Sequence, residues 1–294
     1  MADLKSELAA FPRIDVTANG LRFAVRTAGE GDKLALCLHG FPEAWFSWRH
    51  QMPLLAELGY RVWAPDLRGY GDSERPARTR DYAVDRLVDD VAGLIDASGS
   101  KDVTLIAHDW GGNLAWELAA QRVRPLSRLV LMNIGHPAVM ARALRTSPAQ
   151  LRRSWYIFAF QIPWLAERWL EADDHAAIAK AFAGMAVDKS RFPAELLDLY
   201  RERAARPGAV KAMLAYYRAA LRFPSTRRRA TIETPTLLVW GEEDTALGIE
   251  LAEGSAAHVK DFTLERIPRC SHWVQQEQPE RVNEILRRWL TTPR

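Results

Sequence analysis

The sequence has little of what marks disulfide-bonded, membrane-spanning or nucleic-acid-binding proteins. It contains two cysteines among 294 residues, Cys37 and Cys270, which is too few to indicate a disulfide framework. No stretch approaches the roughly 18 apolar residues of a transmembrane helix, and residues 1–8 lack the apolar core of a signal peptide. The 40 basic and 37 acidic residues are mixed and give a net charge of +3. We therefore expect a cytoplasmic protein without a nucleic-acid or membrane partner.

Strand and helix patterns alternate over most of the chain, in which 48% of the residues are hydrophobic. Continuous apolar runs at 34–38 and 234–241 are typical of buried parallel strands. The alternation predicts an α/β fold with a mostly parallel sheet flanked by helices, and a ligand site at the carboxyl ends of the strands. The predicted elements are strands at 21–27, 34–38, 60–64, 102–107, 128–133, 234–241 and 262–267, and helices at 45–58, 84–98, 113–120 and 280–290.

The strand patterns disappear between residues 136 and 229. This segment has helical spacing and is rich in tryptophan and tyrosine. We predict that residues 136–229 form a helical cap, inserted into a core made of residues 1–135 and 230–294. The basic run at 227–229 is interpreted as a solvated linker that ends the cap.

Residues 107–112, Ala-His-Asp-Trp-Gly-Gly, place Asp109 where a serine would be usual. The small residues Ala107 and Gly111 fit a sharp turn between a strand and a helix, which presents one side chain as a nucleophile. A carboxylate nucleophile favours attack on a saturated carbon that carries a leaving group, and water can cleave the resulting alkyl ester. The motif therefore predicts epoxide or carbon–halogen chemistry rather than esterase activity.

Hydrolysis of such an ester requires a general base, which is most often histidine. His272 follows the last predicted strand and Asp244 follows the strand before it, so the chain order is nucleophile, acid, histidine. Asp244 would orient the imidazole and stabilise its charged form. Glu242 and Glu243 remain alternatives for this role.

Two backbone N–H groups are expected to stabilise the negative charge that develops when water attacks the ester. The loop after strand 34–38 can direct the N–H of Phe41 at the nucleophile, and Trp110 supplies the second N–H directly after Asp109. Phe41 and Trp110 are therefore the predicted oxyanion hole.

Several motifs occur together in this chain: His-Gly-Phe-Pro-Glu-Ala-Trp at 39–45, Asp-Leu-Arg-Gly-Tyr-Gly-Asp-Ser at 66–73, and His-Asp-Trp-Gly-Gly at 108–112. With residues 155–164 and the Tyr-Tyr-Arg run at 216–218, the chain resembles the soluble epoxide hydrolases of the α/β-hydrolase superfamily over nearly its whole length. The resemblance implies an α/β-hydrolase fold with an inserted cap. It also implies conversion of an epoxide to a vicinal diol through an ester on Asp109. One difference is Ala107, where many relatives have glycine; alanine is small enough to keep the turn.

The resemblance further implies that two cap tyrosines, Tyr156 and Tyr217, hydrogen-bond the epoxide oxygen and supply its proton. Ring opening releases an alkoxide, which is a poor leaving group without a proton donor. Tyr216 is adjacent, but the Tyr-Arg dipeptide of the family matches Tyr217.

The expected partners are a small hydrophobic epoxide and water, held in an apolar, aromatic pocket. No metal or organic cofactor is expected. Assembly into a homodimer is left open by the sequence. The predicted substrate-binding residues are His39, Pro42, His108, Trp155, Ile157, Phe160 and Trp273.

Two other functions remain open. Haloalkane dehalogenases share an Asp-Trp pair, in which the Trp110 indole would bind halide, but they usually have Asn or Glu at the position of Phe41. Fluoroacetate dehalogenases, which act on a haloacid, place arginines after the nucleophile, where this chain has Trp110 and Asn113. A different class is a catalytically silent member that binds a small ligand or a partner protein. Loss of Asp109, His272 or the tyrosines would indicate it, and all are present.

Overall fold

An eight-stranded sheet lies at the centre of the computed structural model, which describes residues 4–293. The strands are β1 (Arg13–Ala18), β2 (Leu21–Ala28), β3 (Lys33–Leu38), β4 (Tyr60–Pro65), β5 (Val103–His108), β6 (Arg128–Met132), β7 (Thr236–Gly241) and β8 (Phe262–Ile267). Their order in the sheet is β1-β2-β4-β3-β5-β6-β7-β8. All pairs from β4 to β8 are parallel, and only β1–β2 and β2–β4 are antiparallel. The predicted, mostly parallel sheet is confirmed.

Helices flank this sheet, as the alternation predicted, and further helices occupy the segment between β6 and β7. They are α1 (Leu4–Ala9), α2 (Gln51–Glu57), α3 (Val84–Ser98), α4 (Asp109–Ala120), α5 (Pro137–Thr146), α6 (Pro148–Arg153), α7 (Trp155–Ala159), α8 (Leu165–Met185), α9 (Ala194–Ala204), α10 (Ala209–Arg222), α11 (Ile249–Ser255), α12 (Val274–Glu277) and α13 (Pro279–Thr291). Among residues 4–293, no helix combines the length and the apolar composition that a membrane span requires.

Two elements differ from the sequence prediction. β1 was not predicted, because this edge strand buries only Val16 and Ala18, too few for a clear alternating pattern. The single helix predicted for residues 45–58 is wrong, since a short 3₁₀ helix at Trp45–Trp48 precedes α2. The reason is Pro53, whose ring would clash with the carbonyl of Arg49 in a continuous helix, whereas proline is tolerated in the first turn of α2.

The described chain between β6 and β7 contains helices and turns but no strand. Its longest helix, α8, is broken from Ala172 to His175, where three consecutive residues have φ between +49° and +61°. Residues 227–229 form a linker without helix or strand in which Arg228 and Arg229 are exposed, as predicted, but two of its arginines are also ion-paired. Arg227 donates two hydrogen bonds of 2.8 Å to Asp89, and Arg229 donates bonds of 2.6 and 2.7 Å to the buried Glu117. These ion pairs fix the end of the helical segment to the sheet-flanking helices α3 and α4.

Candidate active site

Asp109 lies at the turn between β5 and α4, at the carboxyl end of the central strands. Its φ of +47° is in the left-handed region, which is strained for a residue with a side chain and marks a sharp turn. The turn needs close backbone approach, because a Cβ atom on Gly111 would lie 2.4 Å from the carbonyl oxygen of Leu38. A Cβ atom on Gly40 would equally collide with the Asp109 side chain at 2.4 Å. The glycines therefore let the loop after β3 pack directly against the carboxylate.

Asp109, His272 and Asp244 come together from three separate loops. Nε2 of His272 lies 3.6 Å from Oδ2 of Asp109, and its Nδ1 lies 2.7 Å from Oδ2 of Asp244. Asp244 is itself fixed, because its Oδ1 accepts hydrogen bonds from the backbone N–H groups of Ala246 and Leu247 at 2.8 and 2.9 Å. This is the arrangement of a nucleophile, a base and an orienting acid.

The alternatives to Asp244 lie elsewhere. Glu242 pairs with Arg266 at 2.6 Å, and Glu243 is exposed to solvent. Asn133, to which no role was assigned from the sequence, holds the other carboxylate oxygen of Asp244. Its Nδ2 donates to Oδ2 of Asp244 at 2.8 Å, and its Oδ1 accepts from the backbone N–H of Gly241. Its position directly after β6 was the available signal.

The charges of Asp109 and His272 stabilise each other. Burial favours the neutral imidazole, but the negative charges and hydrogen bonds of Asp244 and Asp109 outweigh it and raise the pKa of His272 to about 10. Burial likewise opposes ionisation of Asp109, yet its hydrogen bond and attraction to His272 keep its pKa below the usual range. At neutral pH the site therefore holds a carboxylate beside an imidazolium.

We expect the replacement Asp109→Asn to lower the pKa of His272 below its value of about 10 in the unmodified protein. A neutral amide removes the negative charge that stabilises the imidazolium, so the proton is lost at lower pH. NMR titration of the His272 ring measures this, with the intact mass confirming that the amide persists. Asp173→Asn is the matched control, because Asp173 also lines the cavity but is exposed and is not among the main causes of the His272 pKa shift. An unchanged His272 titration in Asp109→Asn would contradict the pairing.

One predicted oxyanion-hole donor is in hydrogen-bonding position. The backbone N–H of Phe41 donates to Oδ1 of Asp109 at 2.7 Å. Trp110 is the second residue of α4, and the first N–H groups of a helix point outward without intrahelical partners. Oδ1 therefore already lies where a carbonyl oxygen of an ester could be held, which leaves Oδ2 as the free attacking atom.

Two phenols face Asp109 across a cavity. Tyr156 and Tyr217 both line it, with ring centroids 6.0 Å apart. Burial, together with the charge of Asp109, raises the pKa of both phenols above the ordinary value, so both stay protonated. The neighbouring Tyr216 does not line the cavity, and its hydroxyl donates to the carbonyl oxygen of Arg68 at 2.8 Å.

The side chain of Trp110 contacts one phenol. The rings of Trp110 and Tyr217 meet edge to face at 5.1 Å, and the indole partly opposes the rise in the pKa of Tyr217. An indole N–H can only donate a hydrogen bond, so its place beside Tyr217 leaves the hydroxyl proton for an acceptor in the cavity.

The cavity has a volume of about 430 Å³ and lies between the sheet edge and the helical segment. Four of the predicted substrate-binding residues line it: Pro42, Trp155, Phe160 and Trp273. The helix α8 contributes an aliphatic and aromatic wall, on both sides of its break, that was not predicted from the sequence. This wall includes Trp169, Leu170, Ile178 and Met185.

His39, His108 and Ile157 were also predicted to bind substrate, but none of them lines this cavity. His39 is fully buried; its Nδ1 donates to the carbonyl oxygen of Gly40 and its Nε2 accepts from the N–H of Leu67. Ile157 packs partly buried against the hydrophobic core. These side chains support the loops of the site from behind.

His108 belongs to a buried polar network that connects the nucleophile loop with the base. Its Nδ1 lies 2.7 Å from the carboxylate of Glu43 and its Nε2 lies 2.9 Å from the carbonyl oxygen of His272. Both ring nitrogens therefore lie against oxygen atoms. Gln275 and Gln276 also donate to Glu43, each at 2.9 Å. Within residues 4–293, no group of three or more His, Cys, Asp or Glu side chains is arranged to hold a metal ion.

Comparisons with known proteins agree with this architecture. The family model described as alpha/beta hydrolase fold matches residues 35–279. The chain is 39% identical to the AB hydrolase superfamily protein YfhM of Bacillus subtilis, over 94% of this chain and 96% of that protein. It is 38% identical to epoxide hydrolase 4 of Mus musculus, over 93% and 77% respectively. An inhibitor-bound crystal structure of an epoxide hydrolase from Bacillus megaterium superimposes with a TM-score of 0.87 at 30% identity, covering 95% of this chain and 100% of that one.

The fold and the site thus define an α/β hydrolase with a carboxylate in the nucleophile position. The chain belongs to the α/β-hydrolase fold family and, within it, to the epoxide hydrolases.

Proposed function

We propose that this protein is an epoxide hydrolase that converts a small hydrophobic epoxide and water into a vicinal diol, without a cofactor. The observation that carries the proposal is the placement of two protonated phenols, Tyr156 and Tyr217, on the cavity that also exposes Asp109. A carboxylate supplies the nucleophile, and the phenols supply the acid that an epoxide oxygen needs in order to leave.

In the first step, Oδ2 of Asp109 attacks one ring carbon from the side opposite the ring oxygen. The carbon–oxygen bond of the ring breaks, and the oxygen takes a proton from Tyr156 or Tyr217, which regains it from solvent. Oδ1 stays on the N–H of Phe41 as the carbonyl oxygen of the new ester. The ester no longer carries the negative charge that stabilised the imidazolium of His272, so this residue can release its proton and become a base.

In the second step, neutral His272 removes a proton from a water molecule that attacks Cγ of Asp109. Asp244 stabilises the imidazolium that forms. The N–H groups of Phe41 and Trp110 bind the oxyanion, a contribution of roughly 3 to 4 kcal/mol per donor in other enzymes. The Cγ–Oδ2 bond breaks, the leaving oxygen takes the proton of the His272 imidazolium, and the diol departs. Asp109 keeps one oxygen from water, and its acid proton passes back to His272.

The contact between Trp110 and Tyr217 favours this function over dehalogenation. A halide site would need the indole N–H as a free donor, but the indole lies against the phenol. Two phenols next to the nucleophile would have no role with a halide, which leaves without a proton. Dehalogenation is therefore the alternative that the test below distinguishes from epoxide hydrolysis.

We also propose the division of the chain into a core (1–135 and 230–294) and a cap domain (136–229). The helical segment from α5 to α10 provides one wall of the cavity and both phenols, while the sheet edge provides Asp109 and His272. Removal of electrophilic epoxides would make the reaction a detoxification.

The test is product analysis of the purified protein with styrene oxide and, in parallel, with 1-bromobutane and fluoroacetate. We expect phenylethanediol from styrene oxide and no halide release. Halide release without diol formation would refute epoxide hydrolysis and favour a dehalogenase. Absence of all products, with Asp109 unmodified after incubation, would favour the catalytically silent member.

A further inference from the structure

An exposed apolar stripe lies on the helical segment at the entrance of the cavity. Its six side chains are each 43 to 73% exposed, and most recur every three or four residues along α7 and the beginning of α8. Contiguous apolar exposure of this kind marks an interaction surface rather than ordinary surface residues. The stripe consists of Trp155, Phe158, Ile162, Trp164, Leu165 and Trp169.

The stripe is one surface because its two ends meet. The rings of Trp155 and Trp169 lie 5.8 Å apart, so α7 and the first turns of α8 are neighbours. Trp164 is the most exposed member at 73%. An indole carries an apolar ring and one polar N–H, and such side chains concentrate at membrane–water interfaces.

The segment that carries the stripe is predominantly basic. Residues 142–169 contain five exposed arginines and one acidic residue, Glu167, which is ion-paired with the buried Arg218. Arg153 is also paired with Glu250 at 3.4 Å, and exposed carboxylates follow the stripe from Glu171 onward. Exposed arginines beside indoles and aliphatic groups match the phosphate layer and the acyl boundary of an anionic bilayer. The arginines are Arg142, Arg145, Arg152, Arg153 and Arg168.

We propose that this stripe docks the protein on the surface of an anionic lipid bilayer, with the chain lying on the membrane rather than spanning it. A second copy of the chain fits the surface less well, because a two-fold interface sets the same patch against itself and would bring arginines against arginines. The balanced charge of the whole sequence does not reveal this surface, since the arginines of residues 142–169 are offset mainly by acidic residues in other segments of the chain.

Docking would place the entrance of the cavity in the bilayer interface. Trp155 and Trp169 belong to the stripe and also line the cavity. A hydrophobic molecule dissolved in the bilayer could then enter the cavity without crossing bulk water. The docking itself does not depend on which reaction the site performs.

The experiment is co-sedimentation of the full chain with vesicles of phosphatidylcholine alone and with vesicles that also contain phosphatidylglycerol. We expect binding to the anionic vesicles that weakens with added salt, and at least tenfold weaker partition for Trp164→Glu. Ile14→Glu is the matched control, because it places the same charge at an exposed apolar residue on β1, and it should bind like the unmodified protein. Neither residue lines the cavity, and circular dichroism checks that both variants fold.

Three outcomes would overturn the proposal. The first is no binding to anionic vesicles, and the second is equal loss of binding in both variants. The third is a concentration-dependent dimer that Trp164→Glu abolishes while vesicles bind nothing, which would assign the stripe to self-association. The vesicle experiment contains no epoxide, so each of these results is independent of whether the protein hydrolyses epoxides.

Discussion

Replacement of His272 by glutamine should stop turnover with the protein held as a covalent ester on Asp109. Asp109 keeps its hydrogen bond from Phe41 and can still attack, but no group remains at 3.6 Å to deprotonate the water. Loss of a general base costs about 10²- to 10⁴-fold in rate, so hydrolysis should become slower than alkylation. Intact-mass spectrometry after exposure to styrene oxide should find one added substrate mass per chain, located on Asp109 by peptide mapping.

Two controls make this result specific. Adding Asp109→Ala to the His272→Gln variant should remove the adduct, because the attacking atom is gone. His258→Gln changes a histidine outside the cavity, stacked on His136, and should turn over without accumulating ester. A His272→Gln variant that never gains mass, although it folds and binds the epoxide, would contradict the two-step mechanism.

Removal of either cavity phenol should slow the alkylation step itself. In Tyr156→Phe or Tyr217→Phe, the epoxide oxygen loses one of two proton donors, and we expect about 10²-fold slower ester formation, within the range for general acids. The double variant should form no ester on the same time scale. The measurement is single-turnover alkylation in the His272→Gln background, in which the second step does not interfere.

The chain offers a matched control in Tyr216, the residue beside Tyr217. Its hydroxyl bonds the carbonyl oxygen of Arg68 rather than facing the cavity, so Tyr216→Phe removes the same group one position away. We expect a loss of about 1 to 3 kcal/mol in the free energy of unfolding, because a buried acceptor is left unpaired, but an unchanged alkylation rate. Equal slowing in Tyr216→Phe and Tyr217→Phe would mean that the phenols act through packing and not as acids.

The secondary structure was predictable where local pattern and burial coincide. The central strands β3, β5 and β7 are buried on both faces and therefore appear as continuous apolar runs. Edge strand β1 was not predicted, because it buries only two side chains. The interruption of the helix at 45–58 was not predicted, because it depends on a single proline. The break in α8 was also not predictable. The positive φ values of Asp173, Asp174 and His175 occur at residues other than glycine, so the sequence contains no signal for a left-handed backbone there.

By itself, the sequence determined the chemistry of the site and the order of its parts. Asp109 in its turn motif, Asp244 and His272 each follow a strand, and parallel strands end at one edge, so chain order alone predicts that they meet.

Only the tertiary structure decided which polar side chains face the cavity and which hold the site from behind. His39 and His108 belong to the second group. It also brought the rings of Trp155 and Trp169 to within 5.8 Å of each other. The physical reason is that side-chain direction and surface proximity depend on how helices pack across the sheet, which a local pattern in the sequence does not encode.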